Sequence, residues 1–204
     1  RWFPTLADGA ADNIGSGCVT KKKAALMVGT SAAMRVVYAG EPPKRIPKGL
    51  WCYRVDRKRV VVGGALSDGG NLHALSRERF NLPANTDELI ANREPADGLV
   101  VIPFFFGERS TGYDENAAGA IIGMTAAHDG IDVLRAAMEG VAFRLDDIFT
   151  RLQKVANIEE IVASGGALRE SPSWTHIISE VLGRDLISSD VAEASMRGAV
   201  LLAI

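Results

Sequence analysis

Glycine-rich turns are the residues of this chain whose type and spacing best suit a chemical role. The turns are Gly29-Thr30-Ser31, Gly63-Gly64 with Gly69-Gly70, and Ser164-Gly165-Gly166-Ala167, and each follows an apolar run. Because glycine has no Cβ, peptide N–H groups in such turns can approach an anion closely. Together with an isolated Asp8-Gly9 step, the turns predict a nucleotide phosphate site and favour phosphoryl transfer.

Composition excludes several classes of partner. The chain has 204 residues, 47% of them hydrophobic, and a formal net charge of -2, which suits one substantial core arranged as one domain or two small lobes. A chain without a basic excess is not expected to bind nucleic acid or an anionic membrane as its main partner. The longest uncharged stretches, such as Leu99 to Phe106, are too short for a membrane helix, and no signal peptide is visible. Two cysteines, Cys18 and Cys52, favour reduced thiols and a cytoplasmic protein.

Motif searches remove three common enzyme classes. The sequence has no Gly-x-x-x-x-Gly-Lys-Ser/Thr segment, no His-Glu-x-x-His and no Gly-x-Ser-x-Gly. It is therefore not expected to be a P-loop kinase, a zinc hydrolase of that type or a serine hydrolase. Three scattered histidines, His73, His128 and His176, have no metal-ligand spacing and are interpreted as surface or core residues.

The elements that must position the turns follow from periodicity. Short apolar runs from Ala24 to Val62 predict an antiparallel meander, interrupted by a proline-rich loop over residues 41–49. The next segments predict a helix after Gly70 and a buried strand over Leu99–Phe106. A long helix is predicted over Asp132–Val155, with Phe143 facing inward and Arg144 facing outward. The last elements are predicted to be a strand over Ile158–Ala163, a helix over Pro172–Leu182, a strand over Asp185–Ser188 and a helix over Glu193–Ile204. This order predicts an α/β domain with helices packed on a mixed sheet, the organisation of actin-like ATPase (ribonuclease H-like) domains.

The amino terminus is typical of an internal segment. The chain starts at Arg1 rather than Met, and Arg1-Trp2-Phe3-Pro4 has no sign of a natural beginning. We expect a piece of a longer protein whose partner domain lies upstream.

A long pattern in the second half resembles the signature of a known family. Gly119-Ala-Ile-Ile-Gly123-Met124, then seven residues, then Asp132-Val-Leu-Arg-Ala136-Ala137-Met138-Glu139 resembles, at every restricted position, the signature of the FGGY carbohydrate kinases. Asp8-Gly-Ala-Ala-Asp-Asn, Gly29-Thr-Ser, Gly107-Glu-Arg-Ser, Ser164-Gly-Gly-Ala and Arg197-Gly-Ala-Val resemble its other C-terminal blocks, in the family's order. The resemblance covers essentially all residues 1–204, and within the family the sequence looks most like the gluconokinases.

The resemblance implies a kinase of two actin-like domains with ATP and sugar in the cleft between them. This chain would be the second domain, which holds most of the nucleotide. Asp8 stands at the position of the catalytic base that accepts the proton of the attacking sugar hydroxyl. Asp12 is the second candidate, although it is expected instead to cap a helix or turn. From the residues alone, Asp8 also fits an ordinary turn, and Ala7 departs from the glycine that many members have before the base.

The nucleotide residues follow from the same resemblance. Gly29 and Thr30 would approach the terminal phosphates, and Gly69 and Gly70 would pass near the phosphates. Gly165, Gly166 and Ala167 would form the floor of the adenine and α-phosphate region, and Glu170 or Ser171 would lie near the base or ribose. Taken alone, each of these turns fits a plain strand-to-helix connection equally well. Phosphoryl transfer implies Mg²⁺, although the sequence shows no dedicated set of metal ligands.

Two arginines have more than one interpretation. Glu108 and Arg109 follow three phenylalanines and would form a buried ion pair, or Arg109 would reach a phosphate or an acid sugar. Arg35 would meet a sugar-acid carboxylate or lie on an exposed strand face.

Three functions remain open at this point. They are an ATP-dependent sugar or sugar-acid kinase, an actin-like ATPase switch, and a non-catalytic nucleotide-binding module. For the kinase, the sugar is set mainly by the upstream domain, the isolated chain should be nearly inactive, and a homodimer is possible.

Overall fold

A six-stranded mixed sheet organises the chain in the computed structural model, which describes residues 6–191 and 193–203. The segment Arg1-Trp2-Phe3-Pro4, on which the expectation of an upstream domain rests, lies outside the described residues. The strands are β1 (Lys23–Val28), β2 (Ala32–Ala39), β3 (Trp51–Arg54), β4 (Arg59–Leu66), β5 (Val100–Ile102), β6 (Ala120–Ile122), β7 (Glu160–Ser164) and β8 (Leu186–Ser188). The helices are α1 (Asp8–Gly15), α2 (Gly70–Arg79), α3 (Thr86–Ala91), α4 (Gly130–Leu152), α5 (Gly166–Glu170), α6 (Pro172–Leu182) and α7 (Ala194–Ala203).

The strand order in the large sheet is β3-β4-β2-β1-β7-β8. The first four strands pair antiparallel, whereas β1 pairs parallel with β7, and β7 pairs parallel with β8. The predicted α/β domain with a mixed sheet is confirmed. The predicted meander is wrong in one respect. Strand β2 pairs with β4 instead of β3, and β3 pairs with the other side of β4, at the edge of the sheet. The eight-residue β4 is almost wholly buried, whereas the four-residue β3 exposes Tyr53 and Arg54, and a short polar strand suits an edge.

Helix α4 builds the core on one face of the sheet. Asp129 caps it by accepting hydrogen bonds from the amides of Ile131 and Asp132, so the helix begins two residues before the predicted start. Of the residues predicted to face inward, Phe143 does not, because its side chain is 63% exposed. On the sheet side, a Cβ on Gly64 would lie 2.8 Å from Ile148 Cγ1 of α4. Gly63 and Gly64 therefore lie within β4, where they permit close packing, and are not part of a turn.

The predicted strand over Leu99–Phe106 is three residues long. Only Val100–Ile102 pairs, with β6, and Phe105 and Phe106 are largely exposed. Pro103 has no N–H to donate to a ladder, and Gly107 at a φ of +77° turns the chain. The segment of residues 103–111 is consequently irregular, and we call it the strap. Ser110 fastens it to β4, because its amide donates to Ala65 O at 2.8 Å and its hydroxyl accepts from the Ala65 amide at 3.0 Å.

Helices α1 and α7 cover the opposite face of the sheet. Helix α1 packs on β1 and β2, and α7 packs on α1. The pair places Asp8, the first residue of α1, on the face of the sheet opposite to α4.

Candidate functional site

A cavity of about 830 Å³ lies where three glycine-containing segments meet. Six residues predicted to bind nucleotide line it, namely Gly29, Thr30, Gly70, Gly166, Ala167 and Glu170. The first two follow β1, Gly70 begins α2, and the last three belong to α5. The structure thus brings together residues that are up to 141 positions apart in the sequence.

Sheet topology explains why these segments meet. Strands β1 and β7 are adjacent and parallel, with Met27 opposite Ser164, so the turns that follow them emerge at the same edge. Helix α2 is fastened to the first of these turns, because the Gly70 amide donates to Gly29 O at 2.8 Å and the Asn71 amide donates to Thr30 O at 3.0 Å. The cavity therefore has a wall of fixed backbone.

Two kinds of glycine occur around the cavity. A Cβ on Gly70 would lie 2.5 Å from Gly29 O, one on Gly69 would lie 2.6 Å from Ser31 C, and one on Gly165, which has a φ of +105°, would lie 2.2 Å from Val28 O. These three glycines are required by packing. By contrast, a Cβ on Gly29 would meet no atom within 4 Å, and one on Gly166 would meet only Arg169 Nη2 at 4.0 Å. Packing against the described residues does not require glycine at positions 29 and 166. The absence of a side chain at Gly29 and Gly166 leaves their backbone accessible from the cavity.

Backbone amides at the cavity differ in the same way. The Gly69 amide donates to Asn71 Oδ1 at 2.8 Å and the Gly70 amide is already bonded to the hairpin, so neither is free for an anion. Within the described residues, the amides of Thr30 and Ser31 at the tip of the β1–β2 hairpin make no hydrogen bond. Gly166 and Ala167 are the first residues of α5, where the amides have no helical carbonyl to bond. The anion-binding capacity of the cavity therefore lies in the hairpin tip and the α5 turn, and not in Gly69.

His73 forms part of the cavity wall, although the sequence suggested only a surface or core residue. Its ring stacks on Trp174, with centroids 5.6 Å apart and planes 18° apart, and Trp174 Nε1 donates to Met138 O at 3.1 Å. Burial lowers the pKa of His73, which keeps the ring neutral at pH 7. The spacing from Gly70 could have identified His73, since residues three apart share a helix face.

Ser171 has a structural role and does not line the cavity, so of the two residues suggested for the base or ribose only Glu170 reaches it. The side chain is 2% exposed and caps α6 by accepting a hydrogen bond from the Trp174 amide at 3.3 Å. Its hydroxyl also donates to Asp87 of α3. The adjacent Glu170 is exposed and does line the cavity.

Asp8 lies outside the cavity lining, at the start of α1. Its carboxylate is exposed, and Oδ1 accepts a hydrogen bond from the Gly9 amide at 2.7 Å. Ala7, which replaces the family glycine, is extended at a φ of -70°, so the replacement does not strain the backbone. Asp8 is thus an accessible carboxylate on a rigid helix end.

Arg35 is buried beneath the first turn of α1. It is 7% exposed, its Nη1 lies 3.9 Å from Asp12 Oδ2, and a Cβ on Gly9 would lie 2.7 Å from its Cζ. Burial lowers the pKa of Arg35 and raises that of Asp12, and the attraction between the two groups opposes both shifts. The suggested exposed strand face for Arg35 is wrong, and Asp12 lies inside α1 as the partner of Arg35 instead of capping a turn.

Glu108 pairs with Arg144 of α4 and not with Arg109. Arg144 Nη2 bonds Glu108 Oε1 and donates to Ser110 O at 3.2 Å, so the helix residue predicted to face outward anchors the strap. Arg109 is exposed, and its positive charge helps to lower the pKa of Arg35, whose surroundings also include Asp8 and Tyr53. Four ionisable side chains therefore surround Arg35, and the exposed guanidinium of Arg109 forms no ion pair with any residue that the structure describes.

Metal ligands and membrane segments are not found in the described part of the chain. Residues 6–191 and 193–203 contain no group of three or more His, Cys, Asp or Glu side chains placed to hold a metal ion. Nor does any helix there have the length and apolar character that crossing a bilayer requires. Cys18 and Cys52 are both free thiols.

Comparisons with known proteins agree with this architecture. Residues 24–204 match the model of the C-terminal domain of the FGGY family of carbohydrate kinases. The chain is 28% identical to a gluconokinase of Bacillus subtilis over 97% of its own length and 41% of that protein. Crystal structures of a ligand-bound xylulose kinase and of a gluconate kinase, both from Lactobacillus acidophilus, superpose with TM-scores of 0.84 and 0.83 at 27% identity, over 96% of this chain and 41% of each of those chains. The chain thus spans about two fifths of the length of these relatives.

Proposed function

The chain belongs to the FGGY family of carbohydrate kinases, and from that premise we propose that the full-length protein transfers the γ-phosphoryl group of ATP to a hydroxyl of gluconate or a related polyol. The chain is the nucleotide-side domain, and an upstream domain supplies most of the sugar contacts. The observation that carries the proposal is the cavity of about 830 Å³ into which the β1–β2 hairpin and α5 present unbonded amides.

The nucleotide occupies this cavity in the proposal. The amides of Thr30 and Ser31 and the Thr30 hydroxyl donate to the terminal phosphates, where negative charge develops during transfer. Gly166 and Ala167 bind the α-phosphate side, and Glu170, which is exposed at the cavity edge, accepts hydrogen bonds from ribose hydroxyls. The neutral His73 ring, held by Trp174, gives a flat surface in the same wall.

Asp8 is the proposed general base. Gly9, the neighbour of Asp8, lies against the guanidinium of Arg35, and β2, which carries Arg35, begins at Ala32 directly after the hairpin tip. The terminal phosphate is proposed to extend past the hairpin tip towards the start of α1. An ionised aspartate within hydrogen-bond distance of the sugar hydroxyl removes its proton as the oxygen attacks phosphorus. A carboxylate at the end of a packed helix suits this role because its position is fixed before the sugar arrives.

The donor set suits Mg²⁺ that is held mainly by phosphate and water. Because magnesium keeps several waters and uses substrate oxygens, it does not need a cluster of carboxylates, and the described residues contain none. The exposed Asp8 carboxylate is the proposed protein contact, through a water. When bound, Mg²⁺ supplies charge neutralisation at the β- and γ-phosphate oxygens.

A sugar acid is the proposed substrate class because of the arginines near Asp8. Arg35 is committed to Asp12, whereas Arg109 is exposed beside it, with a planar fork of donors that suits a carboxylate. The charge of Arg109, which no ion pair among the described residues neutralises, attracts an anionic sugar to the side of the sheet that carries the base.

A coupled ADP-release assay on the full-length protein tests the proposal. The substrates are gluconate, xylulose, ribulose and glycerol, each with Mg²⁺ and ATP, and we expect the largest kcat/KM with gluconate. ADP release that is equally fast without any sugar would identify an ATPase switch. ATP binding in a titration without ADP release on any of the sugars would identify a non-catalytic nucleotide-binding module, and absence of ATP binding would overturn the proposal.

A further inference from the structure

A second cavity, of about 850 Å³, lies between the loop that joins β2 to β3 and the carboxyl-terminal end of α4. Its described lining includes four basic residues, Arg45, Lys48, Arg151 and Lys154, and no acidic residue. Two hydroxyl groups, of Thr111 and Thr150, also line it. We call this cavity the basic cleft.

The loop side of the basic cleft is fastened in place. Arg151 Nε donates to Lys48 O at 3.1 Å, and the Leu50 amide donates to Pro47 O at 3.1 Å. Gly49 has a φ of +88°, and a Cβ there would lie 2.6 Å from Thr111 O, so the loop lies directly on the strap that contains Thr111. The cations consequently come from a docked loop and a helix end, and not from a free chain.

Three of the four cations in the cleft form no ion pair in the part of the chain that the structure describes. Arg151 is neutralised by Asp147, with Nη1 2.9 Å from Oδ1. None of the ion pairs found within residues 6–191 and 193–203 includes Arg45, Lys48 or Lys154. Like charges that share one concave surface raise its positive potential, which favours a bound anion.

The basic cleft is separate from the nucleotide cavity. Leu82 lines the nucleotide cavity and lies against Gly130 at the start of α4, with Leu82 Cδ2 2.9 Å from the Cβ position of Gly130. Arg151 is 21 residues further along that helix, which corresponds to about 30 Å at 1.5 Å per residue. An anion in the cleft therefore makes no contact with a nucleotide in the other cavity.

We propose that the basic cleft binds a small polyanion, a metabolite with two or more phosphate or carboxylate groups. Arg45 and Lys48 contact it from the loop, Lys154 contacts it from the helix end, and the threonine hydroxyls donate between them. A compact multivalent anion fits because each of the three separated cations can form a charge-assisted hydrogen bond with a different anionic group. The chain as a whole carries a formal net charge of -2, which does not favour a nucleic acid as the occupant.

Isothermal titration of the full-length protein tests the proposal, with inorganic tripolyphosphate and citrate as probes, each with and without saturating ADP. The test variant is R45Q/K48Q/K154Q, and its matched control is R57Q/K58Q/R184Q, which removes the same charge from exposed residues elsewhere. With saturating ADP, which occupies the nucleotide cavity, we expect 1:1 binding of each probe to the wild type and the control, and an increase in Kd of at least tenfold in the test variant. A single variant, Thr150→Asp, places a negative charge in the cleft without removing a cation and should weaken binding similarly.

Three results would overturn the proposal. They are equal binding by the two triple variants, loss of probe binding when ADP is added, and no binding of either probe to the wild type. ATP affinity, measured on the same samples, should be unchanged in every variant. Because the readout is probe binding, a failed sugar assay would leave this test unaffected.

Discussion

Gly15 of α1 and Gly198 of α7 pack each against the backbone of the other helix. A Cβ on Gly15 would lie 1.8 Å from Ala194 O, and a Cβ on Gly198 would lie 1.8 Å from Ala11 O. Arg197 of α7 also donates from Nη1 to Gly15 O at 3.0 Å, which satisfies a carbonyl at the end of α1. The carboxyl-terminal helix therefore fixes the helix that begins with Asp8.

Gly198→Ala should destabilise the domain by about 1–3 kcal/mol, because the added methyl group forces the two helices apart. Chemical unfolding of the variant and the wild type measures the difference in the free energy of unfolding. Ala199→Ser is the matched control, since it adds one heavy atom at an exposed neighbouring position of α7. Equal stability of Gly198→Ala and the wild type would contradict the close packing of α1 on α7.

The two kinds of glycine at the nucleotide cavity should separate in experiment. Gly29→Ala and Gly166→Ala should leave the melting temperature nearly unchanged and weaken ATP binding by about tenfold, since their methyl groups project into space needed for phosphates. Gly70→Ala and Gly165→Ala should lower the free energy of unfolding by about 1–3 kcal/mol, since their Cβ atoms would meet backbone.

Thermal unfolding and a nucleotide titration on the same four variants measure both effects. If Gly29→Ala and Gly166→Ala bind ATP as tightly as the wild type, the nucleotide does not approach the hairpin tip or the α5 turn. If all four variants unfold alike, the distinction between the two kinds of glycine is wrong.

Asp8→Asn should reduce kcat of the full-length kinase by about 10²–10⁴-fold, the range typical of a lost general base. The Kd for ATP should change little, because Asp8 does not line the cavity. Asp97→Asn, at another exposed aspartate, is the control for the loss of one negative charge. Sugar-dependent ADP release at the wild-type rate in Asp8→Asn would remove Asp8 as the base.

Local patterns predicted the sheet, the long helices and the cavity glycines because each rests on neighbouring residues. The parallel pairing of β1 with β7, which brings Gly29 and Gly166 to one cavity, was not predicted, because the two strands are distant in sequence. Whether a side chain is free for a ligand depends on partners that are distant in sequence. The Ser171 hydroxyl is hydrogen-bonded to Asp87, and Glu108 forms an ion pair with Arg144.

The same limitation explains the error at Arg35. A lone arginine in an apolar strand gives no sign that a helix from 23 positions earlier supplies Asp12 to it. The edge position of β3 was also beyond local patterns, because it depends on which of two later strands pairs with β2. Sequence therefore predicted several of the glycine-containing segments that meet at the cavity, and it predicted the charged partners poorly.

Asp68 should make stability depend on pH. It is 1% exposed, its Oδ1 accepts a hydrogen bond from the Phe105 amide at 3.1 Å, and its Oδ2 has no partner among the described residues. Burial raises the pKa of this carboxyl from 3.8 to about 6. Since the pKa of Asp68 is higher in the folded state than in the unfolded state, the contribution of this carboxyl to the free energy of unfolding is fully present below about pH 4. That contribution is lost as the pH rises through about 6.

Asp68→Asn should therefore be more stable than the wild type at pH 7.5, by up to about 3 kcal/mol for a shift of this size. The advantage should shrink at pH 4, where the wild-type carboxyl is protonated and no longer carries the cost of a buried charge. Urea unfolding at the two pH values measures it, with Asp97→Asn as an exposed control that should follow the wild type at both. If the difference in the free energy of unfolding between Asp68→Asn and the wild type is the same at pH 4 and pH 7.5, Asp68 does not titrate in this range and its pKa is not raised by burial.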